Sequence, residues 1–140
     1  MQQWVIYALI SMLFAGLTSV LAKIGLKEVS ADVGLAVRTA FVFSFIAINA
    51  FFFQNVKEFQ LLSKKSILFL GISGLTTALS WIFYYRAMKV GEVSYVASID
   101  KASILITLIL SIIFLKEPVS PKLIIGASLI LAGLIVLVYK

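Results

Sequence analysis

Residues 4–26 read WVIYALISMLFAGLTSVLAKIGL, and Lys23 is the only charged residue among them. A helix of this length measures about 35 Å at about 1.5 Å per residue, which exceeds the bilayer hydrocarbon core of about 30 Å. Further long apolar segments follow at residues 34–53, 66–85, 93–115 and 122–139. Backbone polar groups inside a bilayer must be satisfied within the segment, and segments this long do so as helices. The sequence therefore predicts an all-α membrane protein, a bundle of five transmembrane helices.

The overall composition supports the same conclusion. The 140 residues are 62% hydrophobic and 13% charged, and the mean hydropathy is +1.13, whereas soluble domains average about 45–50% apolar and about 25% charged residues. Short connectors between the five spans leave no room for a soluble enzyme domain, so we expect a single transmembrane domain over residues 1–140. Residues 1–4 (MQQW) contain no basic segment and no small-residue cleavage site follows, so we expect the first span to be retained.

The residue types present exclude several kinds of chemistry. The chain has no cysteine and no histidine, which excludes disulfides, thiol chemistry, haem ligation and histidine-rich metal sites. We find no nucleophile–base set, metal cluster or phosphate-binding loop, so we expect no enzyme activity, no metal and no cofactor. The net charge of +6 would suggest nucleic acid binding in a soluble protein. Here it is better explained by loop lysines that set orientation or contact anionic lipid headgroups.

The distribution of positive charge between the two membrane sides is nearly even. One side holds five lysines, Lys57, Lys64, Lys65, Lys116 and Lys122. The other holds Lys27, Arg86, Lys89 and Lys140, with Lys23 and Arg38 close to the same boundary. Orientation normally follows a bias in these counts, and five against four or six provides almost none. Either another feature fixes the topology, or the protein inserts in both orientations.

Polar residues on two spans align along helix faces. Residues three, four, seven and eleven apart share a face, which aligns Ser73, Thr77, Ser80 and Tyr84 on the third span and Asp100, Ser103, Thr107 and Ser111 on the fourth. Such hydroxyls either satisfy their own backbone or hold helices together. Four aligned on each of two successive spans favour a shared polar cavity. Trp81 lies beside the third-span stripe. It either packs against a neighbouring helix or stacks on a substrate.

Charged residues within the spans are the most specific signal. Asp100 lies about 10 Å into the fourth span, where a charge is costly and usually faces a cavity or a partner. Lys101 points about 100° away from it, so we expect the two to make different contacts. Asp100 binds a substrate or coupling proton, or forms a structural ion pair with another helix. Arg38 and Lys23 lie nearer span ends, where long side chains also extend to the interface.

The ends and the last span of the sequence suggest packing roles. Trp4, Tyr85 and Tyr139 are interpreted as residues of the aromatic belt at the membrane interface. On the fifth span, Gly126 and Gly133 lie seven residues apart on one face. Small residues let helices approach closely in lipid. This face therefore packs against a second copy or inside its own bundle.

Several segments resemble the EamA domain of the drug/metabolite transporter superfamily, in particular its small five-helix bacterial and archaeal members. The resemblance covers essentially the whole chain and includes Arg38 early in the second span. The segments are GLTTALSWIFYYRAM (residues 74–88), GEVS (91–94), IDKAS (99–103), KEPVS (116–120) and GASLILAG (126–133). Most members carry two such domains in inverted orientation around a central cavity. By this resemblance, one chain corresponds to half of a ten-helix inverted-repeat transporter. The resemblance therefore implies that two copies pair as an antiparallel homodimer.

The resemblance also implies an activity, namely transport of a small organic solute (metabolite, amino acid or drug-like molecule) across the cell membrane by alternating access. Small multidrug exporters of the superfamily use a glutamate in the first span, which has no acidic residue here. Arg38 or Lys101 would hold a substrate carboxylate or pair with Asp100. The candidate substrate-binding or ion-coupling residues are Arg38, Ser73, Thr77, Ser80, Trp81, Tyr84, Asp100, Lys101, Ser103 and Thr107. Two alternatives remain: a subunit of a lipid-carrier flippase and a non-transporting scaffold, each needing a different protein as partner.

Overall fold

A computed structural model describes residues 2–53, 59 and 61–139 of the chain. Its helices are α1 (Gln3–Gly25), α2 (Ala31–Phe53), α3 (Lys64–Val90), α4 (Val93–Asp100), α5 (Ser103–Leu110), a π-helical segment (Ser111–Leu115) and α6 (Pro121–Val138). The described residues contain no strand. Five segments are long and apolar enough to cross a membrane, the fourth being Val93–Leu115. The prediction of an all-α protein with five membrane-spanning segments is confirmed.

The chain forms two compact units, Met1–Val90 and Gly91–Lys140. In the first unit α2 packs mainly on α3. The buried apolar side chains of the described residues are Leu26, Ala31, Tyr85 and Met88, and they lie where α1 turns into α2 and where α3 ends. Most other large apolar side chains are exposed along their helices. This distribution suits helices whose sides contact lipid or another chain, since water would not tolerate so much apolar surface.

The turn between α1 and α2 is held by side chains at its ends. The Ser30 hydroxyl accepts a hydrogen bond from the Val33 amide at 3.3 Å, which caps the start of α2. Asp32 follows in the first turn, where a negative charge interacts favourably with the helix dipole. At the other end of the turn, the Lys89 ammonium donates to the carbonyl oxygens of Leu26, Lys27 and Val29 at 2.5, 3.2 and 2.9 Å. These bonds tie the end of α3 to the turn.

The end of α3 differs from the sequence expectation. The sequence predicts that the third span ends at Tyr85, but the helix continues to Val90. Tyr85 therefore lies inside the helix, and its side chain is only 4% exposed. The interpretation of Tyr85 as an interfacial belt residue is wrong, because the residue packs in the first unit. Lys23, expected to extend to the interface, donates a hydrogen bond to the Met88 carbonyl oxygen at 2.6 Å.

In the second unit the fourth span is interrupted. The α-helix ends at Asp100, and the amides of Ala102, Ile104 and Leu105 bond to carbonyls three residues back, which tightens the chain before α5. After the π-helical segment, Lys116 adopts a left-handed conformation with φ 54°. Ser120 then caps α6, its hydroxyl accepting from the Leu123 amide at 3.2 Å, with Pro121 in the first turn. Within this unit α4 packs on α6.

Candidate functional site

A cavity of about 460 Å³ lies in the first unit. Its walls come from the last two turns of α1, the following turn, the first two turns of α2 and one residue of α3. The lining residues are Thr18, Leu21, Ala22, Gly25, Leu26, Val29, Val33, Gly34, Val37, Arg38 and Tyr85. The volume falls in the range of about 300–1,000 Å³ that is typical of small-molecule sites. The lining is apolar apart from two hydroxyls, backbone groups and a single charged side chain, Arg38.

Arg38 is held against the aromatic side chains of α3. Its guanidinium carbon Cζ lies 4.0 Å from the centroid of the Trp81 ring and 5.9 Å from that of Tyr85. A guanidinium over an aromatic face is attracted by the negative potential of the ring, and tryptophan provides the strongest such interaction. Because α2 packs on α3, the two rings fix where the charge of Arg38 lies at the cavity wall. The rings contact the face of the guanidinium, so its N–H groups, which lie in the guanidinium plane, take no part in these contacts.

Arg38 has no hydrogen-bond acceptor in the described part of the chain, and its buried Nη1 atom is unpartnered there. The acidic residue of the same helix, Asp32, bonds instead to Arg86, with Nε to Oδ1 at 3.1 Å and Nη2 to Oδ2 at 3.3 Å. This bidentate pair is exposed at the end of the unit. A buried donor without an acceptor is costly, so Arg38 stands out as a charged side chain whose hydrogen-bonding capacity the described residues leave unused.

The close approach of the turn to α2 shapes one wall of the cavity. A Cβ atom at Gly34 would overlap Cδ2 of Leu26, with Leu26 Cγ and Val29 Cγ2 each at 3.6 Å. Leu26 is only 2% exposed, so moving its side chain away from such a Cβ atom would disturb its packing. Glycine at position 34 therefore lets Leu26 lie directly on the α2 backbone, next to the wall that Arg38 completes.

The third-span stripe does not form this cavity. Ser73, Thr77 and Ser80 are exposed on α3, and the Thr77 hydroxyl donates to the Ser73 carbonyl oxygen of its own helix at 2.8 Å. Tyr84 instead reaches α1, where its hydroxyl lies 2.8 Å from the Ser19 hydroxyl. Of the ten candidate residues, Arg38 lines the cavity. Trp81 does not line it, but its ring contacts the Arg38 guanidinium.

The fourth-span candidates lie in the second unit and are described by themselves. Lys101 Nζ approaches Asp100 Oδ2 at 3.6 Å, so the expectation that the two residues make different contacts is wrong. That expectation assumed a continuous helix, whereas α4 ends at Asp100. The Thr107 hydroxyl bonds to the Ser103 carbonyl oxygen at 3.0 Å, as isolated hydroxyls in membrane helices commonly do.

The fifth-span glycines have free space beside them. A Cβ atom at Gly126 or at Gly133 would meet no atom within 4 Å among the described residues. Within the described part of the second unit, neither glycine is therefore required by a close helix approach.

Sequence analysis missed several residues that build the first unit. Gly34 lines the cavity, and the Asp32–Arg86 pair joins α2 to α3 across 54 positions of sequence. No local pattern marks such a pair, because its members lie on different helices. The cap at Ser30, followed by an acidic residue in the first turn, was the one recognisable signal.

The sequence matches the EamA-like transporter family over residues 2–139. A protein from Sinorhizobium sp., described as an uncharacterized transporter in the cobO 3′ region, is 35% identical over 136 residues. The aligned segment covers 97% of this chain and 96% of that protein. No solved structure matches the chain.

Proposed function

Because the chain belongs to the EamA-like transporter family, we propose that it carries a small organic solute across the cell membrane by alternating access, as an antiparallel homodimer. The family and the relative support a membrane transporter, and five apolar spans place the chain in a bilayer. The observation that carries the proposal is the cavity of about 460 Å³, which is mostly apolar and holds one charged group. A few polar groups in an apolar concave site are what small-molecule recognition requires.

Two features support a second copy. Between 0 and 6% of each membrane-spanning window is buried inside the protein, so the helix sides have large surfaces free for lipid or for another chain. The open space beside Gly126 and Gly133 provides a face on which a helix can approach closely. A ten-helix arrangement of two copies would provide the alternating path that inverted-repeat transporters use.

The nearly even charge distribution supports opposite orientations of the two copies. Without a bias of lysine and arginine toward one side, neither orientation is favoured during insertion. An antiparallel pair then forms from a single sequence, and one access state of the first protomer corresponds to the opposite state of the second.

In this proposal the polar stripes of both protomers line the solute path between the two copies. Ser73, Thr77 and Ser80 contribute hydroxyls from α3, and Ser103 and Thr107 contribute them from α5. Tyr84 continues the α3 stripe, with its hydroxyl on that of Ser19 in α1. Asp100 lies at the helix interruption, where its carboxylate binds a cationic group or carries a coupling proton, and Lys101 balances its charge. The interruption gives this part of the fourth span a place to bend as access alternates.

Paired cysteine labelling tests the orientation. The protein has no native cysteine, so Glu28→Cys and Glu117→Cys each introduce one thiol. The two positions are exposed and lie in connectors that three membrane spans separate, so an odd number of crossings puts them on opposite sides of the membrane. Intact cells are treated with a membrane-impermeant maleimide, before and after permeabilisation. Dual insertion predicts that about half of each variant reacts in intact cells.

Labelling of only one of the two variants in intact cells would overturn the antiparallel homodimer. An oppositely oriented protein would then have to be sought among co-purifying chains. Transport itself is tested by comparing the solutes in the medium of cells that express the wild type or Asp100→Asn. A solute whose distribution changes with the wild type alone supports the proposal, and identical media contradict it.

A further inference from the structure

The Arg38 side chain carries a charge that the described chain does not neutralise. Within the described residues, the ion pairs are Arg86 with Asp32 and Lys101 with Asp100. Among the same residues, the guanidinium of Arg38 contacts two aromatic rings, with Cζ 4.0 Å from the Trp81 centroid and 5.9 Å from the Tyr85 centroid. Its Nη1 is buried without an acceptor. A guanidinium binds carboxylates and phosphates through two parallel N–H bonds, so its missing partner is an anionic oxygen group.

The rest of the cavity decides which anion fits. Only two other side chains of the lining carry polar atoms, Thr18 and Tyr85, and the remaining walls are aliphatic or backbone. One guanidinium in an apolar wall balances a single negative charge, and a doubly charged phosphate would leave one charge without compensation. The aliphatic walls from Leu21, Val33 and Val37 suit an apolar body of the solute.

We infer that this cavity binds the carboxylate of an apolar organic acid through Arg38, in a site that is complete within one protomer. The inference rests on the proposed transport function and names the class of its solute. All lining residues belong to the first unit of one chain. Arg38 is the eighth residue of α2, which places it about 10 Å from the start of the helix. The site therefore lies toward the end where α1 turns into α2.

Trp81 is a positioning residue in this site. Its ring supports one face of the guanidinium, so the N–H edge is fixed before a carboxylate arrives. A pre-organised guanidinium loses little freedom on binding. Trp81→Leu should weaken carboxylate binding while leaving binding of an uncharged analogue unchanged, a result that a general loss of fold would not produce.

The test uses the full chain in phosphatidylcholine nanodiscs loaded with one protomer each. The probes are radiolabelled 3-phenylpropanoate and its neutral analogue 3-phenylpropanamide, and empty nanodiscs correct for partition into lipid. We expect saturable binding of the carboxylate and about tenfold to a hundredfold weaker binding of the amide. In Arg38→Gln the carboxylate should bind no better than the amide. Arg38→Lys should recover part of the preference, because it keeps the charge but loses the planar fork.

Arg86→Gln is the matched control. It removes the same charge from the same end of the unit, but Arg86 is exposed and already bound to Asp32. We expect this variant to keep the preference for the carboxylate. Equal loss in Arg86→Gln and Arg38→Gln would show a general electrostatic effect and overturn the inference. Equal binding of the two probes to the wild type, or no saturable binding of 3-phenylpropanoate, would overturn it as well.

Two further arms separate the alternatives. A lipid headgroup carries similar chemistry, so the assay is repeated with phosphatidylglycerol in the nanodiscs. The inference would be overturned if this lipid displaces the probe and if the wild type retains the lipid while Arg38→Gln loses it. That result would assign the site to lipid. Binding that appears only in nanodiscs with two protomers would show a shared site and overturn it too.

The result is separable from the proposed function. If the carboxylate binds through Arg38 but no solute crosses proteoliposome membranes, the transport proposal fails while the site stands. If a solute without a carboxylate is transported equally by the wild type and Arg38→Gln, transport stands and the assignment of the solute class fails.

Discussion

Lys23 and Lys89 cap each other's helix ends. Lys23, in the last turn of α1, donates to the Met88 carbonyl oxygen near the end of α3 at 2.6 Å. Lys89, in the last turn of α3, donates to the Leu26 carbonyl oxygen just after α1 at 2.5 Å. The last carbonyls of a helix have no partner within it, and ammonium groups there also interact favourably with the helix dipole. The two bonds hold α1 and α3 together beside the cavity.

Lys89→Met should destabilise the protein by about 1–3 kcal/mol, because it removes charge-assisted hydrogen bonds to three carbonyl oxygens. Thermal unfolding in detergent provides the measurement. Lys64→Met is the control, since the Lys64 side chain is exposed at the start of α3 and makes no hydrogen bond or ion pair with another described residue. Equal shifts in the two variants would contradict the capping role of Lys89.

Gly34→Ala should also destabilise the protein, by about 1–3 kcal/mol, because the new methyl group overlaps a buried leucine and the structure must shift to accommodate it. The leucine is Leu26, whose Cδ2 lies where the methyl group would be placed. Gly71→Ala is the matched control. Its Cβ meets no described atom within 4 Å, so the better helix propensity of alanine should leave stability unchanged or raise it by up to about 1 kcal/mol. Comparable losses in both variants would contradict the close approach at Gly34.

Asp100→Asn should abolish transport and leave a folded dimer. The substitution keeps the size of the side chain but removes the charge that would bind a cationic group or a coupling proton. Solute uptake into proteoliposomes and the mass of the purified protein measure the two effects. Asp32→Asn serves as the control, because Asp32 forms an exposed pair with Arg86, and we expect it to transport normally. Loss of the dimer in Asp100→Asn would show that Asp100 is structural.

Gly133→Leu should convert the proposed antiparallel dimer to single copies without unfolding the protomer. A Cβ atom at Gly133 would meet no described atom within 4 Å, and we expect the larger leucine side chain to obstruct the approach of a helix from a second copy. Light scattering in detergent measures the mass, and thermal unfolding reports the fold. Gly16→Leu, on α1, also has open space beside it and should keep the dimer. A dimer that survives Gly133→Leu would place the interface elsewhere.

The helical nature and the number of the membrane-spanning segments follow from the sequence alone. Each apolar run is long enough to cross a bilayer, and a bilayer admits such runs only as helices. Arg38 is also recognisable from the sequence as a candidate binding residue, because a charge within an apolar span is costly at any depth. The interruption after Asp100 is not, because residues 93–115 contain neither glycine nor proline.

The partners of these residues depend on how the helices pack. Periodicity showed that Ser73, Thr77 and Ser80 share a face, but it does not tell which face meets another helix. Arg38 meets Trp81, and Asp32 meets Arg86, from positions more than 40 residues apart. The helices are apolar on nearly all sides, so hydrophobicity does not indicate which helices are neighbours. Contacts that satisfy a few polar atoms distinguish the neighbours, and those contacts exist only once α1, α2 and α3 are side by side.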